Sequence, residues 1–138
     1  MVQGCRNFYS HVNNQNRTAT CVCHGLQVEC KEAPESVSLC HCKDCQQRTG
    51  SAFGVAAFFE RDGVRIDGEA SCYSTTSEDG HQFSFYFCPN CGSTVYWETT
   101  KKPDHLAVAA GSFADPDFPA PTQSVFEEHQ HPWLKLTL

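Results

Sequence analysis

No run in this sequence approaches the roughly 18 apolar residues that a membrane span needs. None of it shows helical periodicity beyond a couple of turns. Cationic residues are few: 10 lysines and arginines face 16 acidic residues, a net charge of −6 with histidine neutral. A phosphate backbone asks for a basic face, so nucleic acid is excluded as a general partner. No phosphate loop or nucleotide signature occurs, and no internal repeat. The stretch Met1 to Asn7 lacks the apolar core of a secretory signal. A reducing compartment is therefore expected, the cytoplasm first and the nucleus second. The 138 residues leave room for one domain with a modest core.

What is abundant is cysteine, ten in all. In a reducing compartment such a count points to metal rather than disulfides. Three thiols fall within Cys40-His41-Cys42-Lys43-Asp44-Cys45, the pattern C-x-C-x-x-C. A disulfide between neighbours there would close a very small, strained ring. A zinc ion at about 2.3 Å from each sulfur relieves the crowding and neutralises the thiolates. The stretch reads as a short helical turn ending at Gly50 and leading into a strand.

The rest reads as short strands. Residues 1–17 are polar and form an expected flexible tail, with Cys5 as a bystander; the zinc-binding domain is expected over 18–138. Leu26, Val28 and Cys30 alternate with polar residues, and Ser36–Leu39 delivers Cys40. Val55–Phe59 is a buried run. Val64–Asp67 and Cys72–Thr76 follow. Phe83, Phe85 and Phe87 then alternate into Cys88-Pro89-Asn90-Cys91-Gly92, and Thr94–Glu98 completes a strand–knuckle–strand hairpin. Leu106–Ala110 and a short Val125–Phe126 segment complete a mostly β, single-domain architecture with the cysteines on loops at one end. Cys30, Cys72 and the three phenylalanines are expected in the core, and His129 and His131 in solvent. Trp133 is expected to tuck back onto the body.

Three cysteine groups supply seven thiols: Cys21 with Cys23, the triplet Cys40, Cys42 and Cys45, and Cys88 with Cys91. Four thiolates close a tetrahedral structural site, whereas three leave a coordination position open. Pro89 fixes the knuckle turn, and Gly92 suits a backbone that aims N–H groups at sulfur. The knuckle needs a second pair, and Cys21 and Cys23 are available. The expected assignment is a structural zinc at Cys21, Cys23, Cys88 and Cys91 and a second zinc at Cys40, Cys42 and Cys45. A fourth ligand from His24, His41 or a distant residue would instead close the second site.

Cys21-Val-Cys-His-Gly25, the triplet with Arg48 and Gly50-Ser51-Ala52-Phe53-Gly54, Phe87-Cys88-Pro-Asn-Cys-Gly92-Ser93, Tyr96-Trp97, Ala110-Gly111-Ser112 and Pro132-Trp133-Leu134 together resemble the glutathione-dependent formaldehyde-activating enzyme family, which includes centromere protein V. The resemblance implies an Mss4-like (β-tent) fold, the same division of ligands between structural and catalytic zinc, and condensation of formaldehyde with glutathione, a carbon–sulfur lyase reaction in reverse. His24 departs from the family, which often places glycine directly after the second cysteine.

Three thiolates make zinc a poor Lewis acid but a good holder of a substrate thiolate. The expected activity is that of a zinc-dependent carbon–sulfur lyase acting on a small thiol adduct, with Cys40, Cys42 and Cys45 at the reacting centre. Arg48, Gly50, Ser51 and Phe53 are the expected substrate contacts and His41 the nearest base. Lys43, Lys101 and Lys102 are further candidates to meet a carboxylate. The alternatives are a zinc-stabilised binding module without chemistry and a thiol redox sensor that ejects zinc on oxidation.

Overall fold

The computed structural model describes residues 16–138; the expected tail, with Cys5, lies almost entirely outside this range. Among the described residues ten short strands form two sheets, accompanied by one α-helix. The small sheet has the order β1-β2-β5, from Arg17–Thr20, Gln27–Cys30 and Val64–Asp67. The large sheet has the order β10-β3-β4-β9-β8-β7-β6. Its strands are β3 (Ser36–Cys40), β4 (Gly54–Glu60), β6 (Ser71–Thr76), β7 (Gln82–Phe87), β8 (Thr94–Thr99), β9 (His105–Ala109) and β10 (Gln123–Val125). All its pairings are antiparallel except β10 with β3. The helix α1 is Lys43–Thr49.

Period-two alternation decides what each strand buries. Val28 and Cys30 of β2, Val37 of β3, Ala57 and Phe59 of β4, and Leu106 and Val108 of β9 meet in one core with Ala19, Val95 and Tyr96. This core lies between the two sheets, and each large side chain in it contributes roughly 1.5–3 kcal/mol. β4 is apolar up to its last residue, Glu60, because it is central, with neighbours on both sides.

The other face of the large sheet carries Ser38, Ala56, Ala107, Trp97, Phe85, Phe83 and Tyr73, as the pairings Ser38↔Ala56, Phe58↔Ala107, Trp97↔Ala107, Phe85↔Trp97 and Tyr73↔Phe85 require. This corrects the expectation for Phe83, Phe85 and Phe87. They are half-buried and absent from the core cluster, because Tyr86 takes the inward side of β7. Cys72 is also corrected: it is exposed, since β6 is an edge strand, while Cys30 is fully buried. Trp133 is 69% exposed rather than tucked in. The last strand stops at Val125, because Phe126 turns left-handed with φ 57°.

Four antiparallel steps separate β3 from β7, so the two strands run the same way. Cys40 and Cys88 therefore leave the large sheet at the same end, about 19 Å apart before twist.

Candidate metal centres

The sulfurs of Cys21, Cys23, Cys88 and Cys91 lie within 4.8 Å of one another. Cys21 and Cys23 are 3.7 Å apart, and Cys23 and Cys88 3.6 Å. A tetrahedral ion with bonds of about 2.3 Å has sulfur–sulfur edges of about 3.8 Å, so the donor set fits one four-coordinate ion. Backbone N–H groups serve the sulfurs: Leu26 donates to Cys21 (3.2 Å) and Asn90 to Cys88 (3.4 Å). Such donors spread thiolate charge. His24 reaches this loop with φ 68°, the left-handed conformation that histidine tolerates better than most residues. Gly92 takes φ 81° and closes the knuckle, its N–H donating to the Cys88 carbonyl at 2.8 Å. The Ser93 hydroxyl and N–H hold the Cys91 thiol down to about 5. A hydrogen bond from the Asn90 side chain lowers Cys23.

The sulfurs of Cys40, Cys42 and Cys45 form a second group within 4.8 Å, all three half-buried. Among the described residues no fourth His, Cys, Asp or Glu joins them. Two elements assemble the group: β3 ends at Cys40, Cys42 caps α1, and Cys45 lies in the first turn of that helix. The Cys45 N–H donates to Cys42 Sγ (3.3 Å), and the Cys42 N–H to Cys40 Sγ (3.4 Å). Cys45 is pushed well up, first by its thiol hydrogen bond to Cys40 and then by burial, with Arg48 pulling the other way. Cys40 is correspondingly lowered by the bond with Cys45. Both groups can hold a metal ion, and their all-sulfur donors suit a soft or borderline one.

Gly50 ends α1 in the left-handed conformation, φ 67°, its N–H donating to Gln46. α1 then lies against β4, where Gly54 leaves the space: a Cβ there would sit 2.9 Å from Arg48 Nη2 and 3.4 Å from Cys45 Cβ. Arg48 stacks over Trp97 (4.2 Å) and faces Phe85 (5.5 Å). It makes no ion pair among the described residues. A half-buried cation therefore stands beside Cys45 with no anion among the described residues to meet it.

The other expected contacts divide. Gly50, Ser51 and Phe53 line an open cleft of about 580 Å³ with Gln46, Trp133 and Leu134, without Arg48. Helical spacing explains the split: Cys45, Arg48 and Thr49 share one flank of α1, and Gln46, Gln47 and Gly50 the other. His41 is not an accessible base, because it is fully buried with Nε2 hydrogen-bonded to Ser124 Oγ at 3.0 Å. Lys101 and Lys102 follow β8 at the end of the sheet away from the cysteines, where they pair with Asp79 (3.3 Å) and Glu35 (3.2 Å). His131 is half-buried rather than solvated, donating to Gln46 Oε1 at 2.8 Å. Two residues had no assigned part. Gln46 also donates to the carbonyls of His41 (2.8 Å) and His129 (3.2 Å), tying the C-terminal segment to α1. Trp97 is the platform for Arg48, and only the β7–β8 register, shifted at Tyr86/Phe87, reveals that it shares a face with Phe85.

A family model described as "Glutathione-dependent formaldehyde-activating enzyme" matches residues 16–129. The crystal structure of a Rhodobacter sphaeroides protein superposes with a TM-score of 0.59, covering 78% of this chain and 98% of that one. At 17% identity this is a likeness of fold. Among curated proteins no significant match is found. No helix of the described residues is long and apolar enough to cross a membrane.

Proposed function

Since the chain belongs to the glutathione-dependent formaldehyde-activating enzyme family, we propose that it is a zinc-dependent enzyme of the carbon–sulfur lyase type. It joins a small carboxylated thiol such as glutathione to formaldehyde or a similar aldehyde. Residues 18–138 act as one catalytic domain in a reducing compartment. Two zinc ions are implied: a structural one at Cys21, Cys23, Cys88 and Cys91, and a second at Cys40, Cys42 and Cys45.

The observation that carries this reading is the half-buried three-sulfur group beside an unpaired arginine. When bound, the second zinc would hold a substrate sulfur as thiolate and keep it nucleophilic at neutral pH. Cys40, Cys42 and Cys45 would hold the ion, with Cys42 fixed at the helix cap. Arg48 meets a substrate carboxylate; its stacking on Trp97 orients the guanidinium before the substrate arrives. In the reaction the sulfur lone pair forms a bond to the carbonyl carbon, the carbon–oxygen π pair moves to oxygen, and the thiol proton ends on that oxygen. The product is an S-hydroxyalkyl adduct. His41 is too enclosed to carry that proton, so solvent relays it from the thiol to the oxygen.

Cobalt-substituted protein tests the reading. Adding glutathione should change the ligand-field spectrum of one of two cobalt ions, and Cys42→Ser should abolish the change. A spectrum indifferent to thiols would mean a closed second site and would favour a binding module.

A further inference from the structure

Among the described residues β6 is the outermost strand of the large sheet, paired on one side only, by β7 from Ser71↔Phe87 to Thr76↔Gln82 without a bulge. Every second residue of such a strand turns its N–H and C=O away from the sheet. Proteins usually blunt such an edge with charge, proline, a bulge or brevity. The opposite edge obeys this: β10 has three residues and ends at left-handed Phe126. β6 does not, for Ser71-Cys72-Tyr73-Ser74-Thr75-Thr76 holds no charge and no proline, and five of the six residues are exposed. On one face Tyr73, 61% exposed, continues the row of Phe85 and Trp97; on the other stand the small Cys72 and Ser74.

We propose that β6 is a docking edge for an extended peptide segment of another protein, with an uncharged, β-prone centre and basic flanks, which adds as an eighth strand. The flanks follow from charge. Exposed Glu69 precedes the strand and exposed Glu78 follows it, and neither has an ion pair among the described residues. The same charges disfavour a second copy: antiparallel self-pairing centred between Tyr73 and Ser74 sets Glu69 opposite the other copy's Glu78, like against like. The centre follows from shape. Residues of the added strand beside Tyr73 and Thr75 are large and apolar, and those beside Cys72 and Ser74 are small.

The test uses the full chain and a fluorescein-labelled peptide, Lys-Arg-Val-Thr-Val-Thr-Val-Lys-Arg, read by anisotropy. Saturable binding is expected, weakened about tenfold in a Glu69→Lys/Glu78→Lys protein whose circular dichroism and melting are unchanged. Two alternately N-methylated peptides complete it. Methylating one set of backbone nitrogens should abolish binding, and methylating the other should spare it, because only one set faces β6. Equal binding of both methylated peptides would reduce the interaction to net charge and overturn the proposal. So would a concentration-dependent dimer that Tyr73→Lys converts to monomer, since the edge would then belong to a second copy.

Discussion

Replacing Arg48 by methionine separates recognition from packing. The guanidinium stacks over Trp97 at 4.2 Å and lies 5.5 Å from Phe85. At a half-buried site this contact contributes about 1 kcal/mol, and methionine keeps part of it through sulfur–aromatic contact. Against a total stability of roughly 5–15 kcal/mol, the fold should persist. A charge-assisted hydrogen bond to a substrate carboxylate contributes about 1.5–3 kcal/mol. Its loss should weaken binding by about 10- to 150-fold, at tenfold per 1.4 kcal/mol. Calorimetric titration of zinc-loaded protein with 3-mercaptopropionate and 2-mercaptoethanol makes the comparison, as the two differ at the carboxylate. Arg48→Met should cost the first thiol the full factor and leave the second within about twofold. Arg48→Lys should fall between, because ammonium keeps the charge but loses the planar fork. Equal losses for both thiols would show that Arg48 acts only by holding α1 in place, and the carboxylate reading would be refuted.

Gly54→Ala should reproduce most of the Arg48→Met defect without removing the cation, because the new Cβ would meet Nη2 at 2.9 Å and displace the side chain from Trp97; an unchanged affinity ratio between the two thiols would show that Arg48 reaches its ligand from another position. Cys91→Ser should lose one metal equivalent and cooperative folding, read by metal analysis and melting, whereas Cys42→Ser should lose one equivalent and keep the melt. Asp79 is held down to about 2, chiefly by the Ser77 hydroxyl and then by Lys101. Its folded value lies below the unfolded one near 3.8, so its contribution is present above that value and disappears as pH falls through about 2. In an NMR titration downward from about pH 7, Asp79 should show no protonation shift before the metal is released, whereas in Ser77→Ala its shift should begin earlier, as expected for a value closer to 3.8.

The cysteine groups that could hold metal were legible because such a grouping is written in local spacing. Cys-x-x-Cys before glycine and three thiols in six residues specify their geometry whatever surrounds them, and the strands that carry them alternate plainly. Face assignments were less legible. Whether Phe85 or Tyr86 points inward depends on which side the small sheet covers, and the bulge at Tyr86/Phe87 shifts the hairpin's register, so alternation alone put three phenylalanines in the core. Cys72 was misread for the same reason: a strand's composition does not say that it lies at an edge. The grouping of Arg48 with Gly50, Ser51 and Phe53 followed from closeness in sequence, and one helical turn put them on opposite flanks. His41 sits between Cys40 and Cys42, yet the parity of the chain at the end of β3 sends its ring inward to Ser124.

The contrast between the two cysteine variants rests on which parts of the chain each metal joins. Cys21 follows β1 of the small sheet and Cys88 follows β7 of the large one, so an ion there would fasten the two sheets across the shared core. Cys23 and Cys88 are 65 residues apart in sequence. If a cross-link is treated as removing loop entropy from the unfolded chain, a closure of that length is worth about 4 kcal/mol, against about 2 kcal/mol for the six-residue span of the triplet. Part of even that smaller term is redundant, because the Gly50 cap and the Gly54 contact already fix α1 against β4. A metal fastened only locally can exchange one ligand for substrate without loosening the sheets. A metal that joins the sheets cannot, and this argues for chemistry at Cys40, Cys42 and Cys45 rather than at the knuckle.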